Sequence, residues 1–262
     1  MVNKPLTLID GIAFAHQRRM TDEDLAAHLA QEAGLLLLEQ RTSSLLEGAA
    51  LGHVADKVAN AFILTGLAEW RPGDAVLSEE SFDDRTRLDH SRVWIIDPLD
   101  GTREYAEGRD DWAVHVALVE NGLPIAGAVA LPALGLTLTS ADPAAIVALN
   151  APPRVLVSRT RPAAEAVAVA EAMGAELVGM GSAGAKAMAV VRGEADIYLH
   201  TGGQYEWDSC APAAVARAAG LHVSRIDGSP LVYNGADAWM PDLLICRREH
   251  ASAVLAHVGA GQ

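Results

Sequence analysis

The sequence predicts an α/β protein whose two halves differ, an α+β N-terminal half followed by an α/β C-terminal half. In residues 93–139 apolar segments are separated by short turns, one of them Asn121-Gly122, which is typical of antiparallel hairpins. After residue 153, short apolar segments alternate with alanine-rich segments of helical spacing. We therefore expect two domains, residues 1–145 and 146–262, with the boundary in the proline-containing segment 141–153.

The N-terminal half begins with two predicted helices. Thr21 followed by acidic residues indicates a capped helix that runs to Leu38, and apolar residues at helical spacing predict a second helix over 56–67. The remaining predictions for this half are strands at 76–77, 93–96, 114–119, 125–131 and 136–139, with a polar surface loop over 81–91.

Strands and helices alternate in the C-terminal half. Glycines follow three of the predicted helices, as is common at helix C-termini. We expect strands at 154–157, 176–180, 196–199, 222–226 and 243–246, and helices at 162–173, 183–192, 208–219 and 250–257.

Composition excludes several classes of protein. The formal net charge of −14 disfavours binding of a nucleic-acid polymer, which requires a basic surface. No apolar run reaches the length of a membrane span, the N-terminal residues lack a secretory signal, and two cysteines are too few for a disulfide scaffold. We expect a cytoplasmic protein that binds no membrane; the composition leaves a homodimer open.

The most informative segment is Asp97-Pro98-Leu99-Asp100-Gly101-Thr102, directly after the predicted strand 93–96. Two carboxylates on a loop stiffened by proline suit Mg²⁺, which prefers oxygen ligands and often binds substrate phosphate as well. The glycine permits close approach of a phosphate to the backbone. Taken alone, the segment is equally compatible with an ordinary turn that carries two solvated aspartates.

Three further segments, in order along the chain, favour the metal interpretation. The hexapeptide resembles the signature of the lithium-sensitive, Mg²⁺-dependent phosphatase superfamily, which includes inositol monophosphatase, fructose-1,6-bisphosphatase and 3′(2′),5′-bisphosphate nucleotidase. The segments 55–57, 77–81 and 206–212 resemble that superfamily's other metal and catalytic segments. The extension to Tyr105 and the segments 181–186, 207–212 and 227–231 resemble the bisphosphate nucleotidase (CysQ-like) branch.

The resemblance implies a layered αβαβα sandwich and a site with two or three Mg²⁺ ions. The implied metal ligands are Glu79, Asp97, the carbonyl of Leu99, Asp100 and Asp208. Thr102, oriented by Asp56, would help to activate the attacking water, and Glu80 would position it. The implied substrate contacts are Gly101, Thr102, Arg103, Ser158, Lys186 and Asp208. His53 stands where the superfamily has a threonine, which weakens the assignment of Asp56.

Each of these residues also has a structural interpretation. Asp208 is placed to cap a helix, Glu79 and Glu80 could be a solvated pair, and Lys186 could extend along an apolar helix to solvent. Cys210 lies beside a proposed ligand without a base to activate it, so packing is the better interpretation. His115, His200 and the other histidines lack metal-ligand spacing and are expected in core or surface roles.

The function expected from the resemblance is Mg²⁺-dependent hydrolysis of the 3′-phosphate of adenosine 3′,5′-bisphosphate, in sulfur assimilation. An inositol monophosphatase or a sugar phosphatase on the same scaffold is the enzymatic alternative, since fold does not decide substrate. A non-catalytic nucleotide or metal sensor is the alternative outside the enzymes, and the retained carboxylates and Thr102 argue against it.

Overall fold

The computed structural model describes residues 20–143 and 152–259. Two β-sheets alternate with three layers of helices, which confirms the expected αβαβα architecture. Residues 1–19, where a secretory signal was sought, and residues 144–151, within the expected domain boundary, lie outside the described residues. The division into two domains at residue 145 stays a prediction.

Two long helices cover the outer face of the first sheet. They are α1, Asp22–Ser43, and α2, Gly48–Trp70. The Thr21 hydroxyl accepts a hydrogen bond from the Asp24 N–H at 3.1 Å, so the expected cap is present. The second helix starts well before residue 56, because Leu51 and Ala55 continue its buried stripe.

The first sheet has the strand order β1-β2-β3-β4-β5, in which β1 is parallel to β2 and the other pairs are antiparallel. Asn121 and Gly122 both have positive φ between β3 and β4, as the predicted hairpin requires. The strands are β1 Ala75–Ser78, β2 Arg92–Asp100, β3 Ala113–Glu120, β4 Leu123–Leu131 and β5 Leu136–Thr139.

The end of β2 corrects the expectation of a strand over 93–96 followed by a loop. The strand continues to Asp100, and its pairing with β3 is interrupted between Asp97 and Asp100. Pro98 lies in this interruption because it has no N–H to donate to the ladder. Gly101 (φ +91°) then turns the chain into the short helix α3, Thr102–Ala106. A Cβ at Gly101 would lie 3.2 Å from both Ser182 and Trp112 side-chain atoms.

The segment 81–91 was expected to be a surface loop, and this was wrong in part. It contains a 3-10 helix, Thr86–Asp89, and a buried arginine, Arg87. The Arg87 guanidinium is compensated by bonds to the Asp83 carboxylate and, at 2.6 Å, to Asn234 Oδ1. Burial is therefore possible despite the charge.

The second sheet has the order β7-β6-β8-β10-β9, with β7, β6 and β8 parallel and β10 antiparallel to both of its neighbours. Two helices, α5 and α6, pack between the sheets, while α4 and α7 cover the outer face. None of the described helices has the length and apolarity of a membrane span. The elements are β6 Arg154–Ser158, α4 Ala164–Met173, β7 Glu176–Met180, α5 Ala183–Val191, β8 Ile197–Tyr205, α6 Glu206–Ala218, β9 His222–Ser224, β10 Trp239–Cys246 and α7 Arg248–Gly259.

Candidate active site

Three carboxylates from distant parts of the sequence meet between the two sheets. Asp97 and Asp100 lie at the end of β2, and Asp208 lies in the first turn of α6. One oxygen of each lies within 4.8 Å of an oxygen of the other two. Glu79 follows β1, and its backbone N–H donates to the Ile96 carbonyl oxygen at 3.3 Å, which places it beside Asp97. The structure thus brings together the four carboxylates that were expected to bind metal.

Burial and crowding raise the pKa values of three of these carboxylates. Burial, followed by the charges of Glu79, Asp100 and Asp208, raises the pKa of Asp97 well above its usual range. Partial removal from solvent and the charge of Asp208 raise the pKa of Glu79 to about 7, although its side chain keeps an exposed surface. Burial and the charge of Asp100 raise the pKa of Asp208 to about 6. Such a cluster favours a bound cation, which removes the mutual repulsion.

Asp100 is the exception among these groups. The Ser182 hydroxyl and the Gly184 N–H (2.6 Å) donate to its Oδ2, and the Ala183 N–H donates to its Oδ1 at 3.2 Å. Although burial acts in the opposite direction, His115 and these donors lower the pKa of Asp100 to about 2. The start of α5 therefore holds Asp100 ionised and fixed in place.

His115 joins the two segments that carry the carboxylates. Its Nε2 lies 3.2 Å from Asp100 Oδ2, and its Nδ1 lies 3.0 Å from the carbonyl oxygen of Trp207, the residue before Asp208. Burial opposes protonation of this ring, but the Asp100 carboxylate outweighs it and raises the pKa of His115. The expectation of a core role missed this link. The signal available in the sequence was a histidine as the one polar residue in the apolar segment 114–119.

Asp208 lies in the acidic cluster and also stabilises a helix start, although it is not the cap residue that was weighed as its structural role. Helix α6 starts at Glu206, two residues earlier than expected, so Asp208 is its third residue and not its cap. Its Oδ2 nevertheless accepts a hydrogen bond from the Tyr205 N–H at 2.6 Å. The carboxylate thus stabilises the helix start while it belongs to the acidic cluster.

A second set of bonds, which the sequence did not reveal, fixes the start of α6. The Glu206 carboxylate accepts bonds from the N–H groups of Asn234 (2.7 Å) and Gly235 (2.8 Å). Arg87 in turn donates to the Asn234 side chain. These contacts connect the loops before β2 and β10 to the helix that carries Asp208. The partners lie far apart in the sequence, so no short-range pattern predicts them.

Thr102 and Asp56 lie within reach of each other beside the cluster. Thr102 Oγ1 lies 3.1 Å from the Leu99 carbonyl oxygen and 3.4 Å from Asp56 Oδ2. Burial, then the charges of Glu79 and Glu80, raise the pKa of Asp56 to about 8. Among the described residues, Asp56 Oδ1 is buried without a hydrogen-bond partner. The pair that was expected from the early helix is therefore brought together, even though His53 replaces the superfamily's threonine.

A cavity of about 550 Å³ opens beside the cluster. It is lined by every expected substrate contact, namely Gly101, Thr102, Arg103, Ser158, Lys186 and Asp208. A second cavity of about 580 Å³ shares Thr102 and Arg103 with the first and is lined by Asp56, Glu79, Glu80 and His53. Two cavities therefore adjoin the carboxylate cluster.

Comparison with known proteins identifies the family of this arrangement. The sequence profile of the inositol monophosphatase family matches residues 20–144 and 154–259. The chain belongs to the inositol monophosphatase family. Members of this family are metal-dependent, in agreement with the acidic cluster.

Named relatives and solved structures within the family agree with this assignment. A Mycobacterium leprae protein named 3′-phosphoadenosine 5′-phosphate phosphatase is 50% identical over 92% of this chain and 94% of its own length. Escherichia coli 3′(2′),5′-bisphosphate nucleotidase CysQ is 32% identical over 71% of this chain and 80% of its own length. The crystal structure of CysQ from Bacteroides thetaiotaomicron superposes with a TM-score of 0.74 at 24% identity, covering 88% of this chain and 98% of that one, which supports the fold.

Lys186 is buried, which is unusual for a lysine side chain. It is 4% exposed, and its ammonium donates to the carbonyl oxygens of Gly181 and, at 2.8 Å, Ser182. Its Nζ also lies 5.2 Å from the centre of the Tyr198 ring. Burial lowers the pKa of Lys186 to about 8. The interpretation as a lysine extended to solvent was wrong, and its contact with substrate stays a prediction.

Two neighbouring arginines differ in their availability to a substrate. Arg159, which follows the expected substrate contact Ser158, is already paired with the carboxylates of Asp111 and Glu104. Arg161 also lines the cavity, and no hydrogen bond or ion pair to it is found within residues 20–143 and 152–259.

Cys210 is fully buried, which raises the pKa of its thiol well above the usual value. This agrees with a packing role.

Proposed function

We propose that the protein is a Mg²⁺-dependent phosphatase that removes the 3′-phosphate of adenosine 3′,5′-bisphosphate, giving AMP and phosphate. The observation that carries the proposal is the carboxylate cluster of Asp97, Asp100 and Asp208, at the edge of a cavity of about 550 Å³. The name of the 50% identical relative supports this choice of substrate.

The residues of the cluster fit the expected metal. Three carboxylate oxygens within 4.8 Å of one another repel unless a cation lies among them, and an all-oxygen set suits Mg²⁺. Burial, and after it repulsion from neighbouring carboxylates, raises the pKa values of Asp97, Glu79 and Asp208. Two or three ions would be held by the carboxylates of Glu79, Asp97, Asp100 and Asp208 and by the Leu99 carbonyl.

Bound Mg²⁺ supplies positive charge that makes a water more acidic and stabilises the leaving oxygen. The protein's own groups then position the reactants. The charge of bound Mg²⁺ would lower the pKa of Asp56 and keep it ionised, so that the Thr102 hydroxyl, whose oxygen lies 3.4 Å from Asp56 Oδ2, would pass a proton from the attacking water to that carboxylate. Glu80, which lines the cavity on the Asp56 side, would orient the water. The backbone turn at Gly101 and Thr102 faces the cavity and would bind the phosphate.

The substrate has a second phosphate that is not hydrolysed, and its binding requires positive charge in the cavity. Lys186 and Arg161 line the cavity, and so does Arg103, whose exposed guanidinium is already paired with the carboxylates of Glu104 and Glu107. We propose that these groups, with Ser158, bind the phosphate that is not hydrolysed, and that binding there helps to position the reacting phosphate.

In the cell, the reaction would remove a nucleotide by-product of sulfur assimilation. We propose that it takes place in the cytoplasm, where the substrate is a small phosphorylated nucleotide, and that neither a nucleic-acid polymer nor a membrane takes part. A homodimer is compatible with this role.

The test is a panel of adenosine 3′,5′-bisphosphate, inositol-1-phosphate and fructose-1,6-bisphosphate, compared by kcat/KM with and without Mg²⁺. The proposal expects adenosine bisphosphate to have the highest kcat/KM and all hydrolysis to require Mg²⁺. A preference for inositol phosphate or the sugar phosphate would replace the substrate. If phosphate is released from none of the three, the result would favour the alternative of a non-catalytic nucleotide or metal sensor.

A further inference from the structure

Two aromatic side chains at the rim of the cavity are more exposed than packing requires. Trp239 and Tyr205 line the cavity that also contains Asp100, Thr102 and Asp208, and each of the two is 48% exposed. Large aromatic surfaces beside polar groups mark binding sites more often than they serve a fold. Neither phosphate nor metal uses an aromatic face, so the phosphatase chemistry leaves these side chains unexplained.

The two side chains lie next to each other on the second sheet. Trp239 of β10 is directly opposite Tyr205 of β8, and residues paired in this way project from the same face. The Tyr205 ring stacks on Trp207, with ring centroids 4.7 Å apart and planes inclined by 13°. Trp207 immediately precedes Asp208. We call Tyr205, Trp207 and Trp239 the aromatic shelf. Through Trp207 it adjoins Asp208 in the sequence, which is a proposed metal ligand.

The backbone beneath Trp239 holds the indole in place. Gly203 has φ +93°, and a Cβ at this position would lie 2.5 Å from Trp239 Nε1, so the indole packs against bare backbone. His200 Nε2 lies 2.9 Å from the Gly203 carbonyl oxygen, and since that oxygen only accepts, the imidazole donates. The indole thus has a fixed position before any ligand arrives, which lowers the entropic cost of stacking.

We propose that the aromatic shelf binds the nucleobase of the substrate, with Trp239 as the stacking surface, while the 3′-phosphate faces the carboxylate cluster. This inference rests on the proposed function, because it assigns one part of the same nucleotide. Every nucleobase has a π-face, so a planar aromatic surface recognises the class without reading the base edge. The shelf would therefore favour nucleotides over inositol or sugar phosphates.

The test compares adenosine 3′,5′-bisphosphate with its abasic analogue, in which hydrogen replaces the base and both phosphates remain. In Trp239→Ala the ratio of kcat/KM for the nucleotide to that for the analogue should fall by about 5- to 100-fold, mainly through KM. Trp239→Phe should retain most of the ratio because phenyl also stacks. Leu123→Ala truncates an exposed apolar side chain at the far hairpin and is the matched control.

A binding measurement separates this inference from the proposed function. AMP should quench part of the intrinsic fluorescence of the wild type, and Trp239→Phe should lose most of that part, because Trp239 is the one of the five tryptophans that lines the cavity as described, while the Tyr205 ring covers a face of Trp207. An unchanged kcat/KM ratio in Trp239→Ala, or an equal loss on both substrates, overturns the assignment. A wild type that does not hydrolyse adenosine bisphosphate refutes the proposed function, and the AMP quench then decides whether the shelf binds a base.

Discussion

The substitution Asp97→Asn separates the stability cost of the carboxylate cluster from its use in catalysis. The Asp97 side chain is 1% exposed, and burial followed by neighbouring charges raises its pKa well above the usual value. In the metal-free protein this carboxyl therefore keeps its proton to a higher pH than it does in the unfolded chain.

The magnitude follows from proton linkage. A carboxyl with an unfolded pKa of about 3.9 costs about 1.4 kcal/mol of stability for each pH unit above that value over which the folded protein keeps it protonated. Because the folded pKa is the higher one, the stability is present below the unfolded pKa and is lost as the pH rises towards the folded pKa. Asparagine is neutral, so it avoids this loss. It also keeps an oxygen for the Leu99 N–H, which donates to Asp97 Oδ1 at 3.1 Å.

We therefore expect metal-free Asp97→Asn to be more stable than the wild type at pH 7, by about 1.4 kcal/mol for each pH unit by which folding raises the Asp97 pKa, with a smaller difference at pH 5. The assay is urea unfolding after EDTA treatment at both pH values, repeated with Mg²⁺. Added Mg²⁺ should stabilise the wild type much more than the variant, and kcat should fall by at least about 100-fold. Asp142→Asn, on an exposed side chain, is the control.

Two results would refute this reasoning. If the metal-free variant is less stable than the wild type at pH 7, burial and neighbouring charges do not raise the pKa of Asp97 as inferred. If Mg²⁺ stabilises both proteins equally and kcat stays near normal, Asp97 is not a metal ligand.

Three further predictions concern the chemistry and its ions. Thr102→Val should lower kcat by about 10²-fold or more while the stabilisation by Mg²⁺ persists, and near-normal kcat would exclude the proton path through Asp56. Lys186→Met should lower kcat/KM for adenosine bisphosphate about 5- to 150-fold, and more than for inositol-1-phosphate; equal losses would place the lysine at the reacting phosphate or in the fold. Li⁺ should inhibit phosphate release to an extent that changes with the Mg²⁺ concentration, as the family resemblance implies, whereas an effect no greater than that of Na⁺ at equal ionic strength would contradict it.

The parts of the fold that the sequence predicts well are those that local chemistry decides. The Asn121-Gly122 turn requires positive φ at both positions, and the structure has it there. The strands Leu136–Thr139 and Glu176–Met180 begin and end where the pattern placed them. Turn residues and short-range alternation contain enough information for such elements.

Element ends that depend on distant contacts were predicted less well. Strand β2 continues through Asp97 to Asp100 because β3 supplies the partner for its end, despite the interruption at Pro98. Helix α6 starts at Glu206 because the loop at Asn234 and Gly235 satisfies that carboxylate. Neither partner lies near in sequence, so no local window contains the cause.

The same distinction applies to the candidate site. The proposed ligands could be found from the sequence because each lies in a short segment with its own signature. The groups that hold them could not, since His115 comes from β3, Ser182 and Gly184 come from the start of α5, and all three converge on Asp100. Asp100 belongs to the first sheet, while α5 packs between the two sheets. The carboxylate is therefore fixed only once both sheets have packed, which makes the geometry of the site a property of the assembled sandwich and not of any one segment.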